Sequence, residues 1–157
     1  AEGAEQNEAQ EASRTTAETR PVPLPERAKL TDAKALSIED TPDLADLLEV
    51  TLTRLGVQVM VARRGSHALT HIEEAMPDVI LLDIHLPDMT GWKVLEALKE
   101  KRGLPGAKHP AVIVITAYGD AANRLVGKLQ GVHQYLVKPL KPEEVEEVVQ
   151  RALGAVR

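Results

Sequence analysis

Residues 78–92 read DVILLDIHLPDMTGW, and the change of character inside this stretch decides how the rest of the chain is understood. Val79 to Leu82 are aliphatic without interruption, the pattern of a strand buried on both faces of a parallel sheet. The run ends on Asp83, and Leu86-Pro87 and Gly91 then turn the chain out of the strand. A carboxylate at the end of a buried strand is costly unless something pairs with it. The partner has to come from elsewhere in the sequence.

Outward from this stretch, apolar runs alternate with helix-like segments from Ala33 onward. AKALSIE precedes TPDLADLLEVTLTRLG, in which Leu44, Leu47, Leu48, Leu52 and Leu55 recur at helical spacing. Thr41 is expected to cap this helix, Pro42 suits its first position, and Gly56 suits its end. VQVMVA, GSHALTHIEEAM, DVILLDI, TGWKVLEALKEKRG, AVIVITA, AANRLVGKLQG, QYLVK and KPEEVEEVVQRALGAV then follow. Five strands alternating with five helices predict an α/β fold. Right-handed crossovers favour a doubly wound, five-stranded parallel sheet, flavodoxin-like, in the order 2-1-3-4-5.

At 157 residues the chain suffices for one ordinary domain and some surplus. The core must be aliphatic, because Phe is absent and aromatics make up 2%. A net charge of −5 with no basic run argues against direct nucleic-acid binding. The absence of Cys excludes disulfide and thiolate chemistry and fits a cytoplasmic protein. No apolar stretch approaches the roughly 20 residues of a membrane helix, so no membrane partner is expected.

Residues 1–32 form a separate acidic, proline-containing region, with Pro21, Pro23 and Pro25 favouring extended chain. They are expected to be a disordered tail or linker, leaving 33–157 as the domain. The chain starts on Ala rather than Met, so it is expected to be processed or part of something longer.

Sites in open parallel sheets lie at the carboxyl ends of the strands. The first strand ends in Glu39-Asp40, the third in Asp83, the fourth in Thr116, and the fifth in Lys138 before Pro139. The second ends near Ala62-Arg63, without obvious chemistry. Three carboxylates on one rim repel unless protonated or bridged by a cation, and Mg²⁺ suits such oxygen ligands. Lys138 and Thr116 then call for a partner with its own negative charge and acceptor oxygens, which a phosphoryl group supplies. An Asp carboxylate is a competent nucleophile for an aspartyl phosphate.

With ED before TPDLADLL, the LLDIHLPDMTGW block, VITAY, and YLVKPLKPEEV in this order and spacing, residues 33–157 resemble the receiver domain of two-component response regulators. The resemblance implies that Asp83 is the phosphoacceptor. Asp40 would bind Mg²⁺ directly, Glu39 mainly through water, and the His85 backbone carbonyl would complete the protein ligands. Lys138 would contact the phosphoryl oxygens, with a cis bond to Pro139. Thr116 and Tyr135 would switch together, remodelling the surface of the fourth helix, fifth strand and fifth helix. The partners implied are a histidine kinase or phosphotransfer protein and a downstream protein target, with room for a phosphorylation-dependent dimer. His85 and Tyr118 would tune the phosphate lifetime. Enzymatic activity beyond self-catalysed phosphoryl transfer and autodephosphorylation is not expected.

Three departures stand out: Glu-Asp replaces the commoner Asp-Asp, Ser37 sits where an aliphatic is usual, and GVHQ precedes Tyr135. His67 and His71 are four apart, a spacing that can bind Zn²⁺, but no third ligand is evident and a solvated helix face is expected. Trp92 is expected to pack, and EEVEE to present a solvated face. A haloacid-dehalogenase-type phosphatase uses similar groups, yet its nucleophile lies on the first strand, and an acid would stand where this chain has His85. A flavodoxin-like redox protein would need a phosphate loop after the first strand. The expected function is therefore a stand-alone receiver, with the C-terminal receiver of a hybrid histidine kinase or other multidomain protein as the alternative.

Overall fold

The computed structural model describes residues 32–117 and 131–156. The expected tail, Tyr118 and the helix expected over AANRLVGKLQG lie outside the described residues, apart from Asp32 and Gly131. Along the chain come β1 (Lys34–Ile38), α1 (Pro42–Arg54), β2 (Gln58–Ala62), α2 (Gly65–Glu74), β3 (Val79–Asp83), α3 (Gly91–Arg102), β4 (Ala111–Thr116), β5 (Gln134–Val137) and α4 (Pro142–Val156). All strand pairings are parallel, and the sheet order is β2-β1-β3-β4-β5, as the alternation of elements predicts.

Strand alternation divides the core into two layers. Val79, Leu81, Ile113 and Ile115 pack with Leu48 and Leu52 of α1 and Val145, Val149 and Leu153 of α4. Ile80, Leu82, Val112 and Val114 face the other way, onto Ala68 and Ile72 of α2 and Val94, Leu95 and Leu98 of α3. Every residue of β3 and β4 is buried, which accounts for their apolar composition up to the terminal Asp83 and Thr116. Trp92 packs against the second layer, as expected. In EEVEE, Val145 is buried while its glutamates stay at or near the surface.

Two local expectations are corrected. Thr41 occupies the N-cap of α1 but makes no side-chain capping bond; Pro42 begins the helix, as expected. His71 is only half-exposed, and its Nδ1 is buried without a hydrogen-bond partner, so the helix face that carries exposed His67 is not uniformly solvated. Gly56, at φ +88°, follows the end of α1 and satisfies the expected stop.

Candidate functional site

At the carboxyl end of β1 the chain continues its sheet pairing for one more residue. Glu39 N–H donates to the Ala62 carbonyl at 3.0 Å, and the side chain is fully buried, at 0% exposure. Its Oε2 accepts the Thr41 N–H at 3.1 Å. The amide of the expected cap thus serves the glutamate. Glu39 Oε1 is buried and accepts no hydrogen bond.

Asp83 closes β3 and is 2% exposed. His85 N–H donates to its Oδ1 at 3.1 Å, so the chain turns back over the carboxylate as soon as the strand ends. Gly91 N–H donates to the Ile84 carbonyl at 2.7 Å and closes the loop at its base.

Lys138 follows β5 and brings its ammonium across the rim. Its Nζ lies 3.4 Å from Asp83 Oδ2 and 3.7 Å from Glu39 Oε1. Its backbone is anchored by donation from Lys138 N–H to the Thr116 carbonyl at 2.8 Å, and the Lys138–Pro139 bond is cis. One oxygen each of Glu39, Asp40 and Asp83 can be drawn from this rim so that all three lie within 4.8 Å of one another.

Three carboxylates face one ammonium. The imbalance shows in Glu39, whose carboxyl is pushed up to about 7, first by burial and then by the Asp83 charge. The Thr41 N–H and the Lys138 ammonium pull in the other direction without prevailing. An orphaned buried oxygen beside two further carboxylates fits a hard divalent cation, which prefers oxygen donors. The donor set therefore suits Mg²⁺.

Thr116 is buried at the end of β4, and Tyr135 is half-buried on β5, paired in register with Val114. Alternation along the strands places both on the α2–α3 side of the sheet, where Tyr135 packs against the core. Asp83 pairs with Ile115, so Thr116 lies one residue further towards the same rim. The structure thus draws Glu39, Asp40, Asp83 and Lys138 into one cluster, sets His85 against Asp83 through its amide, and keeps Thr116 and Tyr135 on neighbouring strands beside it. His67 and His71 take no part in this cluster.

One participant escapes the inspection of strand ends. The second strand end, without chemistry of its own, leads into Gly65 and Ser66, whose amides both donate to Asp88 in the loop after β3. An Asp in a turn is too common to be singled out from sequence.

The family described as the response regulator receiver domain matches residues 35–150. A probable transcriptional regulator ycf27 of Guillardia theta is 33% identical over 123 residues, covering 78% of this chain and 46% of that protein. The DNA-binding response regulator MtrA of Mycolicibacterium smegmatis is 35% identical over 112 residues, covering 71% of this chain and 46% of its own length. The chain thus spans about half the length of the curated relatives it matches. Among solved structures, a putative response regulator from Chloroflexus aurantiacus superposes with a TM-score of 0.69 at 30% identity, covering 78% of this chain and 98% of that one. A CheY-like receiver domain protein from Methanospirillum hungatei gives a TM-score of 0.70 at 26% identity, with coverages of 79% and 95%.

Proposed function

Since the chain belongs to the response-regulator receiver family, we propose that it takes a phosphoryl group onto Asp83 and uses it to switch a protein-binding surface. The observation that carries this reading is the placement of the Asp83 carboxylate, buried at a strand end, 3.4 Å from the Lys138 ammonium and beside Glu39 and Asp40.

Glu39, Asp40, Asp83 and the His85 carbonyl would hold Mg²⁺, which when bound supplies positive charge to the transferred oxygens. An Asp83 oxygen attacks phosphorus in a phosphohistidine of a histidine kinase or phosphotransfer protein. The P–O bond to Asp83 forms as the P–N bond breaks, and the departing imidazole keeps the electron pair and takes up a proton. Lys138 pairs with the phosphoryl oxygens in place of the contact it makes with the free carboxylate. Thr116 donates its hydroxyl to the new acceptor, and Tyr135 moves with it, so the charge event reaches the surface around β5. Water later attacks phosphorus, the P–O bond to Asp83 breaks, and carboxylate and inorganic phosphate are released.

The DNA binding named for MtrA belongs to that longer protein. For the matched region of this chain, whose overall charge is −5, the proposed output is contact with protein. Among the described residues no helix is long and apolar enough to cross a membrane.

Incubated with Mg²⁺ and a small acyl phosphate, the protein should gain one acid-labile phosphoryl group, measured by intact mass. Asp83→Asn should abolish the gain. Stoichiometric labelling that persists in Asp83→Asn would overturn the assignment.

A further inference from the structure

The loop from Ile84 to Thr90 joins β3 to α3, and its base is closed by the Gly91–Ile84 hydrogen bond and a bridge between His85 and Thr90. Its tip reaches sideways to another element. Asp88 is exposed, yet both its oxygens are engaged: Gly65 N–H donates to Oδ1 at 2.8 Å and Ser66 N–H to Oδ2 at 2.9 Å. These amides open α2, whose N-cap Arg64 makes no side-chain capping bond. The first turn of a helix leaves its amides without internal partners, and a carboxylate answers them with charge-assisted bonds. The Ser66 and Gly65 amides hold the Asp88 carboxyl below the usual carboxylate range. A second contact adjoins the first: Met89 packs so closely over Gly65 that a Cβ there would overlap its side chain.

We propose that Asp88 is a positioning residue, clamping the tip of the 84–90 loop to α2 so that the His85 backbone stays over the carboxylate cluster. The inference rests on the reading of that cluster as the Mg²⁺ and phosphoryl site. His85 lies between Asp83, which its amide touches, and Asp88, which is held by the fork of amides. Cutting the outer tether leaves the Gly91–Ile84 bond, the His85–Thr90 bridge and the Met89 contact in place, so His85 is loosened rather than released and its carbonyl samples a wider range of positions. Groups that orient metal ligands typically change metal affinity by about 10–100-fold when removed. A tether acting through a loop belongs at the lower end of that range.

The test compares the full chain with Asp88→Ala and Asp88→Asn. Phosphorylation by a small acyl phosphate is measured across Mg²⁺ concentrations, with Trp92, the single tryptophan, as a fluorescent reporter of Mg²⁺ binding. Amide hydrogen exchange is followed without metal. Asp88→Ala should raise the half-maximal Mg²⁺ concentration about tenfold while leaving the rate at saturating Mg²⁺ within about twofold. Asp88→Asn, which keeps one acceptor oxygen, should fall between it and the parent protein. In metal-free Asp88→Ala, exchange should quicken at Gly65, Ser66 and also His85. Quickening confined to Gly65 and Ser66, with Mg²⁺ dependence unchanged, would reduce Asp88 to a helix cap and overturn the proposal. Loss of protection throughout the domain would also count against it. If the parent protein takes up neither Mg²⁺ nor phosphoryl, the phosphoacceptor reading fails, and the metal-free exchange at His85 still decides whether Asp88 holds the loop.

Discussion

Glu39 combines full burial, one oxygen without a hydrogen bond and a carboxylate neighbour, and its proton is consequently held up to about 7. The ordinary value is 4.5, so between these two values the metal-free folded protein binds more protons than the unfolded chain. Stability from this group is therefore fully present below 4.5 and is lost as pH rises through about 7. Urea unfolding in the presence of a chelator should show a loss on the order of 2 kcal/mol between about pH 5 and about pH 8. Glu39→Gln should flatten this slope, and saturating Mg²⁺ should reverse it, because the ion favours the charged carboxylate. A Glu39→Gln profile as steep as the parent's would place the pH dependence elsewhere. The residue types were legible from sequence because a carboxylate at a strand end is conspicuous. Which oxygen lacks a partner was not, since that depends on where the Thr41 amide and the Lys138 ammonium come to rest.

At the scale of elements, the junction of β3 and α3 has almost no spare room. A Cβ on Gly91 would stand 2.6 Å from the Asp83 carbonyl oxygen and 3.0 Å from Ile84 Cα, both backbone atoms that cannot rotate away. Gly91→Ala should therefore cost about 1–3 kcal/mol of stability, as overpacking does, and should weaken Mg²⁺ binding by shifting the turn after Asp83. Chemical denaturation and a Mg²⁺ titration of the variant check both; an unchanged unfolding midpoint would show that the junction can relax. The strands were readable because both faces of the sheet are covered, which demands uninterrupted apolar runs. Ser37 breaks the run in β1, and its hydroxyl is fully buried without a hydrogen bond. The fork from Gly65 and Ser66 to Asp88 was not readable, because it joins elements 22 or more residues apart through backbone atoms common to every residue type.

For the whole molecule, the order β2-β1-β3-β4-β5 sets β3 at the centre with β4 beside it and gathers polar groups from distant segments onto one rim. Lys138 and Asp83, 55 residues apart, meet there across β4. Lys138→Ala should leave Mg²⁺ binding within about threefold, because oxygen ligands alone hold the ion. It should nevertheless uncouple phosphorylation from the chemical-shift changes expected along β5 and α4. A phosphorylation-dependent shift pattern identical to the parent's would refute that role for the lysine. From sequence alone came the alternation of elements, the parallel sheet and the identity of the residues at its carboxyl rim, because burial on two faces and strand-end placement leave direct marks on residue order. Tertiary structure alone decided that Glu39 turns fully inward, where burial and Asp83 raise its carboxyl, that Thr41 gives its amide to Glu39, and that Asp88 accepts the two amides that open α2. The burial of Glu39 beside Asp83 and the reach of Asp88 to Gly65 and Ser66 arise only when distant segments meet as the sheet closes, and the Thr41 contact, though two residues away in sequence, needs the Glu39 side chain turned inward by that packing.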